Sequence, residues 1–292
     1  MAKSSNPKVS AASSGRGAAS PNSNRRRATW IMVAIAAVVT LALVIAVVST
    51  RGSDGGTNTA GTTPVSNPSS IIDSVVAVPA DVVAAVRPGV DIKAPVPIAG
   101  PALTKDGLPL VLYVGGEFCP YCAAQRWAMV QALSRFGTFT NLALATSGAA
   151  PEPFPNTPTF TFHGSTYSSP YVGFDGVELF DGVHKALDVL SPSQEAAFKT
   201  NSPQGSFPFM DFGGQYLIAG ASYSPGVLTG KSAAQIVSAL STPSGAIAQG
   251  VLGSANMMTA TICLLTNNQP TQVCSVPVIA DLEGVIKAQS PR

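Results

Sequence analysis

Two cysteines separated by a proline and a tyrosine, Cys119-Pro120-Tyr121-Cys122, are the residues of this sequence whose type and spacing most directly suggest chemistry. The thiolate is the attacking species in disulfide exchange. A cysteine at the start of a helix is stabilised in that form by unpaired backbone N–H groups and the helix dipole. A second cysteine one turn further on lies within reach to resolve a mixed disulfide. Pro120 fits the first helical turn, where its missing N–H costs nothing. Two blander readings stand beside this one: a tight structural disulfide, or half of a zinc site. Zinc would need two more ligands from His163, His184, Cys263 and Cys274, none of which forms a second short-spaced pair. No metal is therefore expected.

The surrounding sequence supplies the elements that such a pair needs. Residues 110–114 form a compact apolar run ending in Gly115-Gly116, as a buried strand feeding a helix would. A helix is predicted over 123–136, with Met129, Val130, Leu133 and Phe136 as a core-facing stripe and Gly137 as its stop. Residues 142–146 look like a second strand, which completes a strand, CxxC turn, helix, strand unit. Further on, a short helix is predicted over 194–199, capped by Ser191 or Ser193. Residues 209–212 and 215–219 flank Gly213-Gly214 as an antiparallel hairpin. A helix follows over 232–240, and the chain is helical again from 243 through Ile262.

With these elements in place, residues 110–136 resemble the active-site unit of thioredoxin-like proteins, with the Pro-Tyr dipeptide of many glutaredoxins. The resemblance implies an α/β thioredoxin-like fold, a central mixed sheet flanked by helices, with a redox-active cysteine pair and no cofactor. It also implies a cis-proline opposite the two sulfurs, ahead of a hairpin and a final helix. Thr157-Pro158-Thr159-Phe160 looks more like thioredoxin's own sequence, but no helix separates it from the strand at 142–146. Phe207-Pro208-Phe209 follows a predicted helix and precedes the hairpin, so Pro208 takes the role. On this reading 138–205 hold a large insertion, the resemblance covers roughly 110–240, and a C-terminal helical extension follows. Glu117 and Phe118 depart from the family pattern, which often has an aromatic and a small residue there.

The 292 residues suit one sizeable domain with appendages. Residues 1–27 are rich in Ser, Ala, Gly, Pro and Asn and have the composition of a disordered tail. Residues 28–50 carry no charge and as a helix would span about 34 Å, against a bilayer core of about 30 Å. A signal anchor is expected there in preference to a cleaved signal peptide, because the exit Val48-Ser49-Thr50-Arg51 lacks a small-x-small cleavage site. Lys3, Lys8, Arg16, Arg25, Arg26 and Arg27 precede it without an acid among them, which puts the amino terminus in the cytoplasm. Residues 51–70 read as a flexible linker and 71–292 as an extracytoplasmic domain, opened by a short docking helix over 75–86 with Pro79 in its first turn. Beyond residue 27 lie 11 of the 17 basic side chains and all 15 acidic ones, so a nucleic-acid partner is not expected.

Cys263 and Cys274 are separated by ten residues that include Asn267, Asn268 and Pro270. They suit a structural disulfide clipping a turn between two helices; a second redox pair relaying electrons is the rival. Arg126 and Trp127 could line a substrate groove or pack in the core. His163 and His184 have no partner motif and read as loop histidines, and Glu117 either raises a nearby thiol pKa or is a solvated loop acid. The expected activity is thiol-disulfide exchange on exported proteins, as oxidase or isomerase, with a membrane redox partner and a bilayer contact through one helix. A membrane-anchored reductase is the alternative within that class, and a surface binding module with structural disulfides the alternative outside it.

Overall fold

The computed structural model describes residues 68–89 and 91–289, which fall within one unit, Thr63–Arg292. The tail, the anchor and all but the last residues of the linker lie outside the described residues. Strands follow in the order β1 (Val96–Pro97), β2 (Thr104–Lys105), β3 (Leu108–Gly115), β4 (Thr138–Thr140), β5 (Ala143–Thr146), β6 (Pro158–Thr161), β7 (Thr166–Ser168), β8 (Gly173–Glu178), β9 (Phe209–Phe212) and β10 (Tyr216–Ala219). The helices are α1 (Pro68–Val76), α2 (Ala80–Ala85), α3 (Pro120–Leu133), α4 (Pro192–Asn201), α5 (Ala233–Leu240), α6 (Ala246–Leu265), α7 (Thr271–Cys274) and α8 (Pro277–Ala288).

The result is a mixed sheet flanked by helices. Its central strand is β3, buried from Leu110 onward as a strand covered on both faces must be. On one side β3 runs parallel to β8, from Leu110 opposite Gly173 to Gly115 opposite Glu178. On the other it runs antiparallel to β9, then come β10 and β1, while β2 folds back on the start of β3. Alternation along β3 divides the apolar interior. Val111 and Tyr113 enter the main core with α3 and α6; Leu112 and Val114 pack with Val177, Phe198, Phe209 and Leu217 on the opposite face.

Several sequence expectations are corrected here. The strand parallel to β3 is β8; the segment expected in that role, residues 142–146, forms β5, which pairs antiparallel with β6 in a separate two-stranded sheet. Four apolar residues announce a strand but not its partner. Residues 138–205, expected as one large insertion, are not set apart from the main sheet: β8 belongs to it and α4 to its covering layer. Two helices, α1 and α2, replace the one predicted over 75–86, and Pro79 is the N-cap of the second. The helix after the cysteines ends at Leu133, and it is buried all round, with Gln125, Arg126 and Gln131 inside as well as the apolar stripe.

Other local readings match the fold. Ser191 and Ser232 each form a capping box, with Gln194 and Gln235. Gly213 and Gly214 turn the β9–β10 hairpin with φ of 66° and 72°, a left-handed pair that side chains resist. Cys263 at the end of α6 and Cys274 at the end of α7 form a disulfide with Cα atoms 5.6 Å apart. Among the described residues α6 is long and apolar enough to span a membrane, but 89% of its apolar window is buried inside the protein. It packs on α3, α5 and α8 and is the core helix of this unit.

Candidate functional site

Beyond Gly115 the chain turns through Gly116 to Phe118, and Cys119 becomes the N-cap of α3 with extended backbone, φ −75° and ψ 119°. Pro120 occupies the first turn, and the Cys122 backbone N–H donates to the Cys119 Sγ at 3.3 Å. A sulfur here takes the place of the oxygen that usually caps a helix. Both cysteines are free thiols. Cys122 is fully buried, and Cys119 is itself only 7% exposed.

The two sulfurs differ electrostatically. The Cys119 thiol is pulled below the ordinary range chiefly by a hydrogen bond from the Cys122 side chain, helped by the backbone N–H groups of Cys122 and Tyr121 and the charge of Arg126, against the cost of burial. Burial pushes the Cys122 thiol well up, and the same hydrogen bond and the negative charge on Cys119 add to that.

Below the turn lies a charged pair that the sequence did not announce. Arg126, one turn beyond Cys122 on α3, is fully buried; it donates from Nε to Glu178 Oε1 and from Nη2 to Glu178 Oε2, both at 2.7 Å, and from Nη2 to the Gly116 carbonyl at 2.8 Å. Glu178 ends β8, opposite Gly115, so the pair ties the strand, the turn and the helix together. The Arg126 guanidinium also lies 5.9 Å from the Tyr113 ring centre. Arg126 thus lines no surface groove, and neither does Trp127, which is buried against Phe160 and donates to the Pro158 carbonyl at 2.8 Å.

The cysteines' sequence neighbours Phe118 and Tyr121 each make aromatic contacts. Phe118, Phe180 and Phe207 lie edge to face or tilted, with ring centres 5.9 to 6.4 Å apart, while Tyr121, 41% exposed, meets Phe154. His184 stacks on Phe118 at 3.7 Å and pairs with Glu152 at 3.2 Å. The Gly148 N–H donates to the Phe118 carbonyl, so the loop between β5 and β6 frames the turn. The half-buried Glu117 accepts on its carboxylate from Thr161 Oγ1 at 2.5 Å. His163 is paired with Asp188 at 2.7 Å.

Pro208 is buried immediately before β9, and the pairing of Val114 with Phe209 sets it beside the end of β3 from which the cysteine turn departs. The Phe207–Pro208 bond is cis, as are Ala150–Pro151 and Gln269–Pro270. Thr157–Pro158 is not among these; Pro158 opens β6, outside the main sheet. Sequence reasoning singled out Cys119, Cys122 and Pro208, which lie at the same end of β3, but gave no signal for Glu178 or for the Phe118–His184 contact. A buried arginine demands an acidic partner, but the burial of Arg126 was itself not legible.

A family model for a domain of unknown function, DUF929, matches residues 95–189, about a third of the chain. That span contains Cys119, Cys122, Arg126 and Glu178 and stops short of Pro208. No curated protein matches the chain, and no solved structure does.

Proposed function

We propose that this protein is a thiol-disulfide oxidoreductase of thioredoxin-like fold, held to the membrane through residues 28–50 and acting on exported proteins through Cys119 and Cys122. The observation that carries the reading is the Cys119 sulfur at the N-cap of α3, accepting from the Cys122 N–H, with the second sulfur fully buried one turn on. Such a site favours one thiolate and shelters the other thiol. The fold part of the proposal is supported by the order β8-β3-β9-β10, with a parallel pair joined through α3 and an antiparallel hairpin following α4.

In the oxidising direction, a substrate thiolate attacks the Cys119 sulfur of the disulfide form, a substrate–Cys119 bond forms, and the electron pair leaves on Cys122. A second substrate thiolate then attacks the first substrate sulfur and expels Cys119. Two electrons have passed from the substrate to the cysteine pair. Exchange with a disulfide-bearing redox partner restores the pair. The test is turnover of a fluorescent dithiol peptide by the full-length protein in detergent, with glutathione disulfide as oxidant. Wild type turns over and Cys119→Ser does not; equal rates from both would overturn the proposal.

A further inference from the structure

Arg135 follows the last turn of α3, at the opposite end of that helix from the cysteine pair. It is partly buried, and its hydrogen bonds all go to neutral oxygens. Nη1 donates to Asn256 Oδ1 and to Thr259 Oγ1, both at 2.8 Å, and Nη2 to Gln131 Oε1 at 2.9 Å. Each acceptor is itself held in place. Asn256 Nδ2 donates to the Val83 and Val86 carbonyls, Thr259 Oγ1 to the Ala255 carbonyl and Gln131 Nε2 to that of Val75. These bonds tie α3 to α6, which a neutral amide would also do; they do not offset the charge. Burial pushes the guanidinium down to about 9, so it stays charged at pH 7, and no acid counters that shift. Three of its five N–H donors are engaged, which leaves the Nε–H and one Nη2–H without an acceptor among the described residues.

What Arg135 meets instead is a cavity of about 160 Å³ whose apolar walls are Val76, Val78 and Val83 on one side and Val273, Val276 and Ile279 on the other. Arg135 is the one charged residue in its lining. The Cys263–Cys274 disulfide pins α7, which carries Val273, to α6, which carries Asn256 and Thr259, so wall and cation are held in one frame. Val76, 43% exposed, stands at the mouth. A cation taken partly out of water is costly without an anion beside it. A carboxylate accepts two guanidinium donors at once, and aliphatic walls match an aliphatic body. A single cation matches a monoanion, and the small volume limits the body to a few carbons. We propose that this cavity binds a small aliphatic monocarboxylate, its carboxylate on Arg135 and its hydrocarbon among the valines and Ile279. The site is separate from the cysteine pair and does not rest on the chemistry proposed there.

The test titrates the full-length protein in lipid nanodiscs with sodium isovalerate, followed by ligand-observed NMR, with empty nanodiscs as the blank. Isovalerate binds saturably. Isoamyl alcohol, which keeps the body without the carboxylate, and inorganic phosphate, an anion without the body, bind about tenfold more weakly or worse. Arg135→Gln keeps a hydrogen-bonding side chain but loses the charge, and weakens isovalerate by about tenfold or more. Val76→Phe narrows the mouth and touches none of the hydrogen bonds around Arg135. It weakens binding by a similar factor at an unchanged melting temperature, so the result does not depend on Arg135→Gln remaining folded. A folded wild type without saturable binding, or alcohol or phosphate bound within about twofold of isovalerate, overturns the proposal. Undiminished affinity in Val76→Phe overturns it as well.

Discussion

At the scale of single residues the site combines a motif legible in the sequence with a pair that is not. Cys119 and Cys122 could be singled out because their spacing is local, three positions apart across the first helical turn. The partner of Arg126 is 52 residues away on a strand whose sequence, GFDGVE, carries two glycines and two acids and shows no strand pattern. The Arg126–Glu178 pair is fully buried and bidentate, so removing one partner strands a charge in the interior. Glu178→Gln and Arg126→Met should each cost about 3–5 kcal/mol. The double replacement Arg126→Met/Glu178→Gln should cost less than the sum of the two. Denaturant unfolding of the four proteins as a double-mutant cycle measures this; simple additivity would mean that the two side chains do not support each other.

At the scale of elements, caps and turns were readable because they depend on neighbouring residues, as with Ser191, Ser232 and Gly213-Gly214. Pairing was not, and β5 was therefore assigned to the wrong sheet. The Cys263–Cys274 clip was visible from spacing, and closing its loop stabilises the fold by about 3 kcal/mol in the chain-entropy model. The β9–β10 hairpin carries a titration that can be checked. Asp211 is buried on β9, its Oδ1 accepting from the Gly214 N–H at 2.6 Å, and burial raises its carboxyl above the usual aspartate range. A raised folded-state pKa means that ionisation works against folding. The stabilising effect of the protonated form is complete below the ordinary aspartate pKa and is lost as pH rises through the folded-state value. Asp211→Asn keeps the acceptor without the charge. It should raise the melting temperature at pH 7, and its advantage should disappear as pH falls below the ordinary aspartate range. A gain independent of pH would contradict the assignment.

At the scale of the whole domain, the fold places the cysteine turn at one end of the central strand and packs α6 against α3 on the same side of the sheet. Helix α6 was read as an addition beyond the main unit, because nothing in an apolar sequence says which elements it will cover. The membrane segment proposed for 28–50 belongs to the account at the same scale. In the proposed function it puts the cysteine pair where exported chains still carry thiols. The central claim is that Cys119 is the sulfur that bonds to substrate, and that Cys122 is the leaving group when a substrate thiolate attacks Cys119 and the resolving thiol when Cys119 attacks a substrate disulfide. It is tested most directly by expressing full-length Cys122→Ser, quenching with acid and alkylating agent, and separating the products on non-reducing gels. The account predicts covalent complexes with exported proteins, linked through Cys119 by mass spectrometry, released by reductant and absent from Cys119→Ser/Cys122→Ser. Complexes that persist when Cys119 is replaced, or a Cys122→Ser protein that forms none while folded, would contradict it.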